Sequence, residues 1–306
     1  MSAADKRRRG WARRRPITVA RRIVQIGVCL AMAAPLLLSG WGLLGTTTSS
    51  PDEMPTPAAA PYYGSLSSVE IGGAVDVIDP FAALQVALAS RSFDPAWLLG
   101  ALPVLIVYGL IRGRAFCGWV CPVNLVLEFC DWLRERLGLR VRERALPRHA
   151  KLWVALAVLV LSLLTGVPVF EAVSPVGFVN KGLLFGSLAG VWTFVCVVVL
   201  ELFWARRVWC RSLCPLGGFY EALGRAGLVN VRIDHAACVG CSACKKACIC
   251  DPVILDAPVA GTANAVLAGD CMLCGKCVEA CPKDALRFAV GLDHYRGGAK
   301  GTIEKE

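Results

Sequence analysis

Histidine is scarce in this sequence, and its scarcity excludes two classes of haem protein. The chain has 306 residues and only 3 histidines, none of which lies inside an apolar run. A membrane cytochrome of the b type binds its haem through paired histidines within the bilayer, so this class is excluded. The motif Cys-x-x-Cys-His, which marks covalent haem attachment, is missing as well. The sequence therefore predicts a protein without haem.

Charged residues are scarce inside the apolar runs, which argues against a channel or a transporter. Glu201, near the end of one run, is the only acidic or basic residue in them. Ionisable residues within a membrane usually mark the path of an ion or substrate. The net charge of +10 does not predict nucleic-acid binding either. No basic run on a soluble fold is interleaved with aromatic residues, as a nucleic-acid-binding surface would require.

Apolar residues, in contrast, are abundant. They make up 56% of the chain, and the excess lies in four long runs. A helix of about 20 apolar residues is long enough to cross a bilayer. We therefore expect four transmembrane helices, at residues 23–45, 95–111, 152–170 and 186–204. A cleaved signal peptide is the alternative for the first run, but its apolar part is longer than a usual signal core.

The distribution of basic residues predicts how these helices are oriented. Arg91 is the only lysine or arginine between the first and second runs, and Lys181 is the only one between the third and fourth. The opposite flanks carry clusters of arginine, and positively charged flanks stay in the cytoplasm. We therefore expect a multi-pass protein of the bacterial inner membrane, with both termini on the cytoplasmic side.

The sequence contains 16 cysteines, and eight of them form two similar runs near the carboxyl terminus. In each run three cysteines occupy every third position, and a fourth follows four residues later. Bacterial ferredoxins with two [4Fe–4S] clusters show this pattern, and the fourth cysteine of each run binds the cluster of the other run. The pattern assigns one cluster to Cys238, Cys241, Cys244 and Cys281, and the other to Cys271, Cys274, Cys277 and Cys248.

Other interpretations of these runs remain open, namely a single cluster, a zinc site or disulfide bonds. A zinc ribbon needs only two Cys-x-x-Cys pairs, and disulfides need an oxidising compartment rather than the predicted cytoplasmic one. The fourth ligand of the first run is also open. Cys281 is followed by a proline, whereas Cys248 is followed by Ile249 and Cys250. The spacing favours Cys248 over Cys250.

A second cysteine motif, Cys-x-x-x-Cys-Pro, occurs twice. In both copies an arginine precedes the first cysteine by three residues, and a glutamate follows the second cysteine by seven. The corresponding residues are Arg114, Cys117, Cys121 and Glu128 in the first copy, and Arg207, Cys210, Cys214 and Glu221 in the second. The duplication indicates that the membrane part consists of two parallel repeats, related by an axis along the membrane normal.

The roles of these motif residues stay open at the level of sequence. If each motif is helical, its two cysteines share one face and present their sulfurs together. They then form a redox dithiol, a further metal site or a docking surface, or they are buried only as small apolar side chains. The glutamates are either proton acceptors near a quinol or solvated residues on interfacial helices. We expect the arginines to anchor helix ends at the lipid headgroups and count them as weak candidates for a quinol site.

These patterns predict the fold class and the division of the chain. The class is a polytopic α-helical membrane protein with four transmembrane helices and a C-terminal ferredoxin-like α+β domain with two clusters. Residues 46–75, rich in proline, threonine and serine, are expected to form a loop without a core. The predicted segments are a basic cytoplasmic tail (1–22), a transmembrane domain (23–207), an interfacial linker (208–230), the two-cluster domain (231–290) and a C-terminal tail (291–306).

Together, the two Cys-x-x-x-Cys-Pro motifs and the two-cluster run resemble the ferredoxin-type membrane proteins of the NapH and MauN kind. The resemblance covers residues 23–290. It implies a quinol-oxidising subunit that acts within a complex, as in the periplasmic nitrate reductase system. Its partners would be lipid, the quinone pool, and a cytochrome or iron–sulfur protein that passes electrons toward a periplasmic reductase. The alternative is a maturation or docking factor for a periplasmic redox enzyme such as methylamine dehydrogenase.

Overall fold

Helices occupy most of the first two thirds of the chain, and short strands and loops hold the cysteine runs near its end. The structure, a computed structural model, describes residues 16–38, 62–71, 75–138, 147, 149–176 and 189–291. The predicted tails at residues 1–15 and 292–306 lie outside the described residues. The chain divides into two compact units. The described parts of the cluster unit are residues 16–21, 108–119 and 220–291, and the helical unit comprises the other described residues.

The elements are numbered in chain order. The first part contains α1 (Pro16–Leu38), β1 (Tyr62–Ser65), β2 (Ser68–Ile71), β3 (Val75–Ile78), α2 (Pro80–Ser90), α3 (Pro95–Ile111), α4 (Ala115–Trp119), α5 (Pro122–Leu137), α6 (Ala150–Thr165), α7 (Val169–Val173) and α8 (Ala189–Phe203). A π-helical turn (Trp209–Leu213) leads to α9 (Pro215–Gly224), β4 (Val229–Ile233), α10 (Ala243–Ala247), a 3₁₀ turn (Pro252–Leu255), α11 (Asp256–Val259), α12 (Lys276–Glu279) and β5 (Leu286–Val290).

The apolar runs form helices, but the bounds of these helices agree only in part with the expected ones. Helix α3 coincides with the run at 95–111, and α8 lies within the run at 186–204. The run at 152–170 is divided between α6 and α7, because Gly166 adopts a left-handed backbone (φ 70°) and ends α6. Within the residues that the structure describes, no helix has both the length and the apolar character needed to cross a membrane.

Helix α1 starts at Pro16 instead of residue 23, so part of the predicted basic tail is helical. Arg21 is fully buried and donates to the backbone oxygen of Gly118 at 3.5 Å. The backbone N–H of Thr18 donates to the carboxylate of Glu279 at 2.9 Å, and its hydroxyl donates to the second carboxylate oxygen. The prediction of a solvated tail is therefore wrong for Thr18 and Arg21, which long-range contacts bury, whereas Pro16, Val19, Ala20 and Arg22 are exposed.

A small antiparallel sheet replaces part of the predicted loop at residues 46–75. Strands β1, β2 and β3 form a meander in which Tyr63 pairs with Glu70 and Val69 pairs with Val77. The expectation of a loop is therefore wrong for residues 62–71 and 75, while residues 46–61 and 72–74 lie outside the described part. All four prolines of this segment precede residue 62, so its average composition concealed the strands.

The helical unit is held together by helix packing around aromatic side chains. Helix α2 packs against α6, and α8 packs against α5. The buried ring of Phe81 contacts the rings of Phe170 and Phe219, with centroids 6.0 and 5.6 Å apart. Asp79 begins α2 by accepting hydrogen bonds from the backbone of Phe81 and Ala82, which satisfies two N–H groups at the helix start.

In the cluster unit, β4 and β5 pair in an antiparallel register from Val229–Val290 to Ile233–Leu286. The side chains of Val231, Ile233 and Leu286 are buried and form the floor beneath the cysteine loops. These loops connect the two strands, and their short helices α10 and α12 pack against each other. The strand pair therefore fixes the distance between the start of the first cysteine run and the end of the second.

Residues 108–119 belong to the cluster unit although they are far from it in sequence. The rings of Tyr108, Phe116 and Tyr220 contact each other, with centroids 5.4 to 5.7 Å apart. Gly113 permits this packing, because a Cβ atom at that position would lie 2.1 Å from the backbone oxygen of Tyr220. The first Cys-x-x-x-Cys-Pro motif thus begins inside the cluster unit.

Candidate metal centre

The two cysteine runs surround two separate pockets. The first pocket is lined by Cys238, Cys241, Cys244 and Cys281. The second pocket is lined by Cys248, Cys271, Cys274 and Cys277, and also by Cys250. Each pocket therefore combines three cysteines of one run with the fourth cysteine of the other, as the crossed ligand assignment requires.

The two loops that carry the first three cysteines have the same backbone pattern. Gly240 and Ser242 have left-handed φ values of 64° and 56° in the first loop. Leu273 and Gly275 have φ values of 49° and 72° at the corresponding positions of the second loop. Left-handed residues at alternate positions turn the chain back on itself, so that cysteines three residues apart face one pocket.

The donor set and its burial fit an iron–sulfur cluster. Every candidate ligand is a thiol, which is the donor that these clusters use. Burial raises the pKa of the thiols of Cys248, Cys271 and Cys277, so metal binding must displace their protons. Among the described residues, no group of three His, Cys, Asp or Glu side chains lies close enough to hold a single metal ion. In a cubane cluster each thiolate binds a different iron, so its ligands lie farther apart than those of one ion.

The contacts of Cys250 distinguish it from Cys248 as a candidate fourth ligand. The Cys250 sulfur lies 2.8 Å from the backbone oxygen of Asp270 and 3.1 Å from Nη1 of Arg114. A thiol that donates to a carbonyl keeps its proton, whereas a cluster ligand has lost it. The Cys248 sulfur also donates to a backbone oxygen, that of Asp251, but this hydrogen bond is longer at 3.4 Å, so its proton is lost more easily when a cluster binds. The geometry thus favours the choice that the spacing favours.

Arg114 lies beside the second pocket and is buried. Its Nη1 donates to the carboxylate of Asp270 at 3.0 Å and to the backbone oxygen of the same residue at 3.1 Å. Both side chains are only 1% exposed, so this ion pair is shielded from solvent. The expectation that Arg114 anchors a helix at lipid headgroups is wrong, because its charge is paired inside the protein next to Cys271.

Helix α4 lies directly on the second cysteine loop. The indole N–H of Trp119 donates to the backbone oxygen of Leu273 at 3.0 Å. A Cβ atom on Gly118 would lie 2.4 Å from the backbone oxygen of Met272. The residue between Cys117 and Trp119 therefore has to be glycine if the loop is to keep its place.

We expect Gly118→Ala to lower the free energy of unfolding by about 1–3 kcal/mol, since the new methyl group pushes against backbone rather than a flexible side chain. The urea midpoint of the detergent-solubilised protein measures this change. Gly27→Ala is the matched control, because a Cβ at Gly27 meets nothing within 4 Å. Equal midpoints for the two variants would show that α4 does not press on the loop.

The paired motifs are not continuous helices. Cys117 lies in α4, but Cys121 precedes α5 in an extended conformation. Cys210 lies in the π-helical turn, and Cys214 follows it in an extended conformation. The condition for two cysteines on one helical face is therefore not met, because each motif changes backbone conformation before its proline. In the helical unit, burial raises the pKa of the Cys210 thiol, and the neighbouring Cys214 and Cys121 raise it further.

Arg207 is buried in a polar network of the helical unit. Its Nε donates to Asp131 at 2.9 Å, and its Nη1 donates to Asn124 at 2.7 Å. The carboxylate of Glu201 accepts from the backbone N–H groups of Arg207 and Trp209, and so fixes the turn after α8. Like Arg114, Arg207 is paired inside the protein, and its expected role at the lipid headgroups is wrong.

Both motif glutamates are buried, with exposures of 5% for Glu128 and 2% for Glu221. Glu128 lies 3.6 Å from Arg22, and Glu221 lies 3.9 Å from Arg225. The interpretation of these glutamates as solvated surface residues is wrong, since packing covers them. Their alternative role as proton acceptors stays a prediction.

Sequence reasoning missed two charged residues of the cluster unit, Arg112 and Asp270. Both are 1% exposed and lie next to the second cysteine loop. Asp270 directly precedes Cys271, which is a signal that could have drawn attention to it. Arg112 gives no such signal, because its neighbours in space are more than a hundred residues away in the sequence.

Two cysteine-lined pockets beside a small antiparallel strand pair define a ferredoxin-type iron–sulfur protein. The comparisons with known proteins agree. A family of 4Fe-4S binding domains matches residues 93–140 and 187–233, and a second family of 4Fe-4S binding domains matches residues 266–287. No solved structure matches the chain.

The chain belongs to the family of the ferredoxin-type proteins MauN and NapH. It is 40% identical to the methylamine utilization ferredoxin-type protein MauN of Methylorubrum extorquens, over 74% of this chain and 79% of the relative. It is 36% identical to MauN of Paracoccus denitrificans, over 86% and 87%. It is 31% identical to the ferredoxin-type protein NapH of Escherichia coli, over 78% and 82%. The protein is therefore an iron–sulfur electron-transfer protein.

Proposed function

We propose that this protein oxidises a membrane quinol and passes the electrons through two [4Fe–4S] clusters to a partner redox protein. The observation that carries the proposal is the pair of four-thiol pockets in one compact unit with α4, which follows the apolar helix α3. The first cluster is held by Cys238, Cys241, Cys244 and Cys281, and the second by Cys271, Cys274, Cys277 and Cys248. Two one-electron centres suit a quinol, whose oxidation releases two electrons and two protons.

The exposed apolar side chains of the helical unit support a location in the lipid bilayer. Trp153 and Leu164 on α6 are 72% and 70% exposed, and Trp192 and Phe203 on α8 are 68% and 69% exposed. Soluble proteins rarely expose so many large apolar side chains on one pair of helices. We propose four transmembrane segments at the apolar runs, in the bacterial inner membrane, with the clusters and both termini in the cytoplasm.

A duplicated membrane part is supported by the match of one family model to two segments, residues 93–140 and 187–233. Each segment contains one Cys-x-x-x-Cys-Pro motif, together with its buried arginine and glutamate. Functional sites of parallel repeats often form between the copies. We propose that the motifs bound the quinol site at the cytoplasmic surface of the membrane.

The chain's own residues have defined tasks in this proposal. The thiolates bind iron, and the buried ion pair of Arg114 and Asp270 keeps the second loop in place beside α4. Glu128 and Glu221 are the candidates for receiving the quinol protons, because they are buried carboxylates at corresponding positions of the two repeats. When bound, the clusters supply one-electron transfer at potentials set by nearby charge and hydrogen bonds.

We expect Glu128→Gln or Glu221→Gln to slow quinol oxidation about 100-fold or more, since a positioned proton acceptor contributes on that order. Stopped-flow bleaching of the cluster absorbance after addition of a reduced quinone analogue measures the rate. Glu135→Gln is the control, because Glu135 lies on the same helix as Glu128 but is exposed. If purified protein with intact clusters is not bleached by any quinol, the proposal of quinol oxidation fails.

A maturation or docking role in methylamine utilization is the second candidate. It is favoured by the higher identity to the two MauN proteins than to NapH of Escherichia coli. In that case the clusters donate electrons during assembly of a partner enzyme, and the helices recruit the partner. A deletion strain distinguishes the two functions. A fully assembled but unreduced partner enzyme supports electron transfer, whereas an immature partner enzyme supports maturation.

A further inference from the structure

Arg112 differs from the buried Arg114 and Arg207 in having only neutral partners among the described residues. Its Nη1 donates to the backbone oxygen of Val229 at 3.1 Å and to the side-chain oxygen of Asn230. Its Nη2 donates to the backbone oxygen of Ala268 at 3.1 Å. No carboxylate pairs with Arg112 among the described residues, although its side chain is only 1% exposed. The guanidinium is thus a buried positive charge that no carboxylate in the described part of the chain neutralises.

A buried charge of this kind is very unfavourable unless an opposite charge lies nearby. Arg114 and Arg207 meet this requirement through Asp270 and Asp131, respectively. The geometry around Arg112 points instead to the second pocket. The backbone oxygen of Ala268 accepts both from Arg112 and from the N–H of Cys271, the latter at 3.1 Å. The guanidinium therefore lies at the turn that presents a cysteine of this pocket.

We infer that Arg112 is the counter-charge of the second cluster and raises its reduction potential. A cubane with four thiolates carries a negative net charge, and reduction adds one further negative charge. A buried positive charge beside one of its ligands stabilises the reduced form more than the oxidised form. The inference rests on the proposed ligand set, and it makes Arg112 a positioning residue that acts through the cluster.

The first cluster lacks an equivalent group in the described part of its pocket. Lys283 lines that pocket, but it is exposed, so solvent and salt screen its charge. Cys241, one of the ligands, is itself exposed. Removal of the Arg112 charge should therefore change one cluster and spare the other, which gives the experiment an internal reference.

The test is a redox titration of the whole protein, followed by electron paramagnetic resonance, on Arg112→Gln, Arg112→Lys and Arg287→Gln. The variant Cys248→Ser identifies the signal of the second cluster. For Arg112→Gln we expect the equilibrium constant for reduction of the second cluster to fall at least tenfold, which is about 59 mV toward more negative potential for one electron. The first cluster should keep its midpoint. Arg112→Lys retains the charge, and Arg287→Gln removes only an exposed charge from β5. Both variants should have the same midpoint potentials as the protein without substitutions.

Each outcome decides the matter. Loss of the second cluster in Arg112→Gln, with full occupancy in Arg112→Lys, also supports the inference, because charge alone then separates the variants. Loss in both variants, or an unchanged midpoint in Arg112→Gln, overturns it and leaves Arg112 as a purely structural residue. If the protein without any substitution binds no iron, the proposed function itself is contradicted.

Discussion

Replacing Cys248 by serine is expected to remove one of the two [4Fe–4S] signals and to lower the iron content from about eight to about four atoms per chain. Replacing Cys250 is expected to leave both clusters in place. The physical reason is the difference in hydrogen bonding between the two sulfur atoms. Both cysteines line the pocket, but the Cys250 sulfur donates to the Asp270 backbone oxygen at 2.8 Å, whereas the hydrogen bond of Cys248 to the Asp251 backbone oxygen is longer at 3.4 Å.

The two variants control for each other, because both replace a buried cysteine in the same short segment by the same residue. Iron and acid-labile sulfide, measured on protein prepared without air, report the occupancy. Retention of eight iron atoms in Cys248→Ser, together with a loss in Cys250→Ser, would reverse the assignment of the fourth ligand. Serine sometimes replaces a thiolate as a ligand, so the alanine variants of both positions should be measured as well.

The second large effect is expected for the ion pair of Arg114 and Asp270. Asp270→Ala removes the carboxylate from a pair whose members are both 1% exposed. Breaking a buried pair by removing one partner costs about 3–5 kcal/mol, because a charge then stays in an apolar environment. The second cluster should therefore be released at a lower urea concentration, which the loss of visible absorbance records.

Asp256→Ala is the matched control for this effect. Asp256 pairs with Lys245 in the same unit, but their side chains are 52% and 33% exposed. An exposed pair contributes less than about 1 kcal/mol, so this variant should lose its clusters at nearly the same urea concentration as the unchanged protein. If both variants behave alike, the pair of Arg114 and Asp270 does not stabilise the second loop.

The cysteine pockets are the part of the site that the sequence predicts best. Cysteines at every third position need only a loop with left-handed turns, and residues such as Gly240 and Gly275 supply these turns locally. The fourth cysteine of each run reaches the pocket of the other run because β4 and β5 pair in antiparallel fashion. Each feature depends on residues close together in the sequence or on one strand pair, so spacing is sufficient to predict it.

The charged surroundings of the pockets could not be predicted in the same way. The partner of Arg112 at Ala268 is 156 residues away, and so is the partner of Arg114 at Asp270. Burial of Glu128 and Glu221 likewise results from packing between distant segments. A sequence pattern identifies an arginine near the end of an apolar run as a headgroup anchor, and only the fold reveals that it is enclosed.

The boundaries of α1 illustrate the same limit. The apolar run suggests a start at residue 23, but Thr18 and Arg21 have partners at Glu279 and Gly118 that extend the helix to Pro16. The strands at residues 62–78 were missed because proline-rich composition dominates the segment before them. Local composition therefore predicted which segments are apolar, and long-range contacts determined where the elements begin.

The central claim is that eight cysteines between residues 238 and 281 hold two [4Fe–4S] clusters. The most direct measurement is iron and acid-labile sulfide analysis of anaerobically purified protein, combined with electron paramagnetic resonance of the reduced sample. The account predicts about eight atoms of each per chain, and two cluster signals that interact magnetically. Colourless protein without iron or sulfide, or protein that holds only zinc, would contradict it.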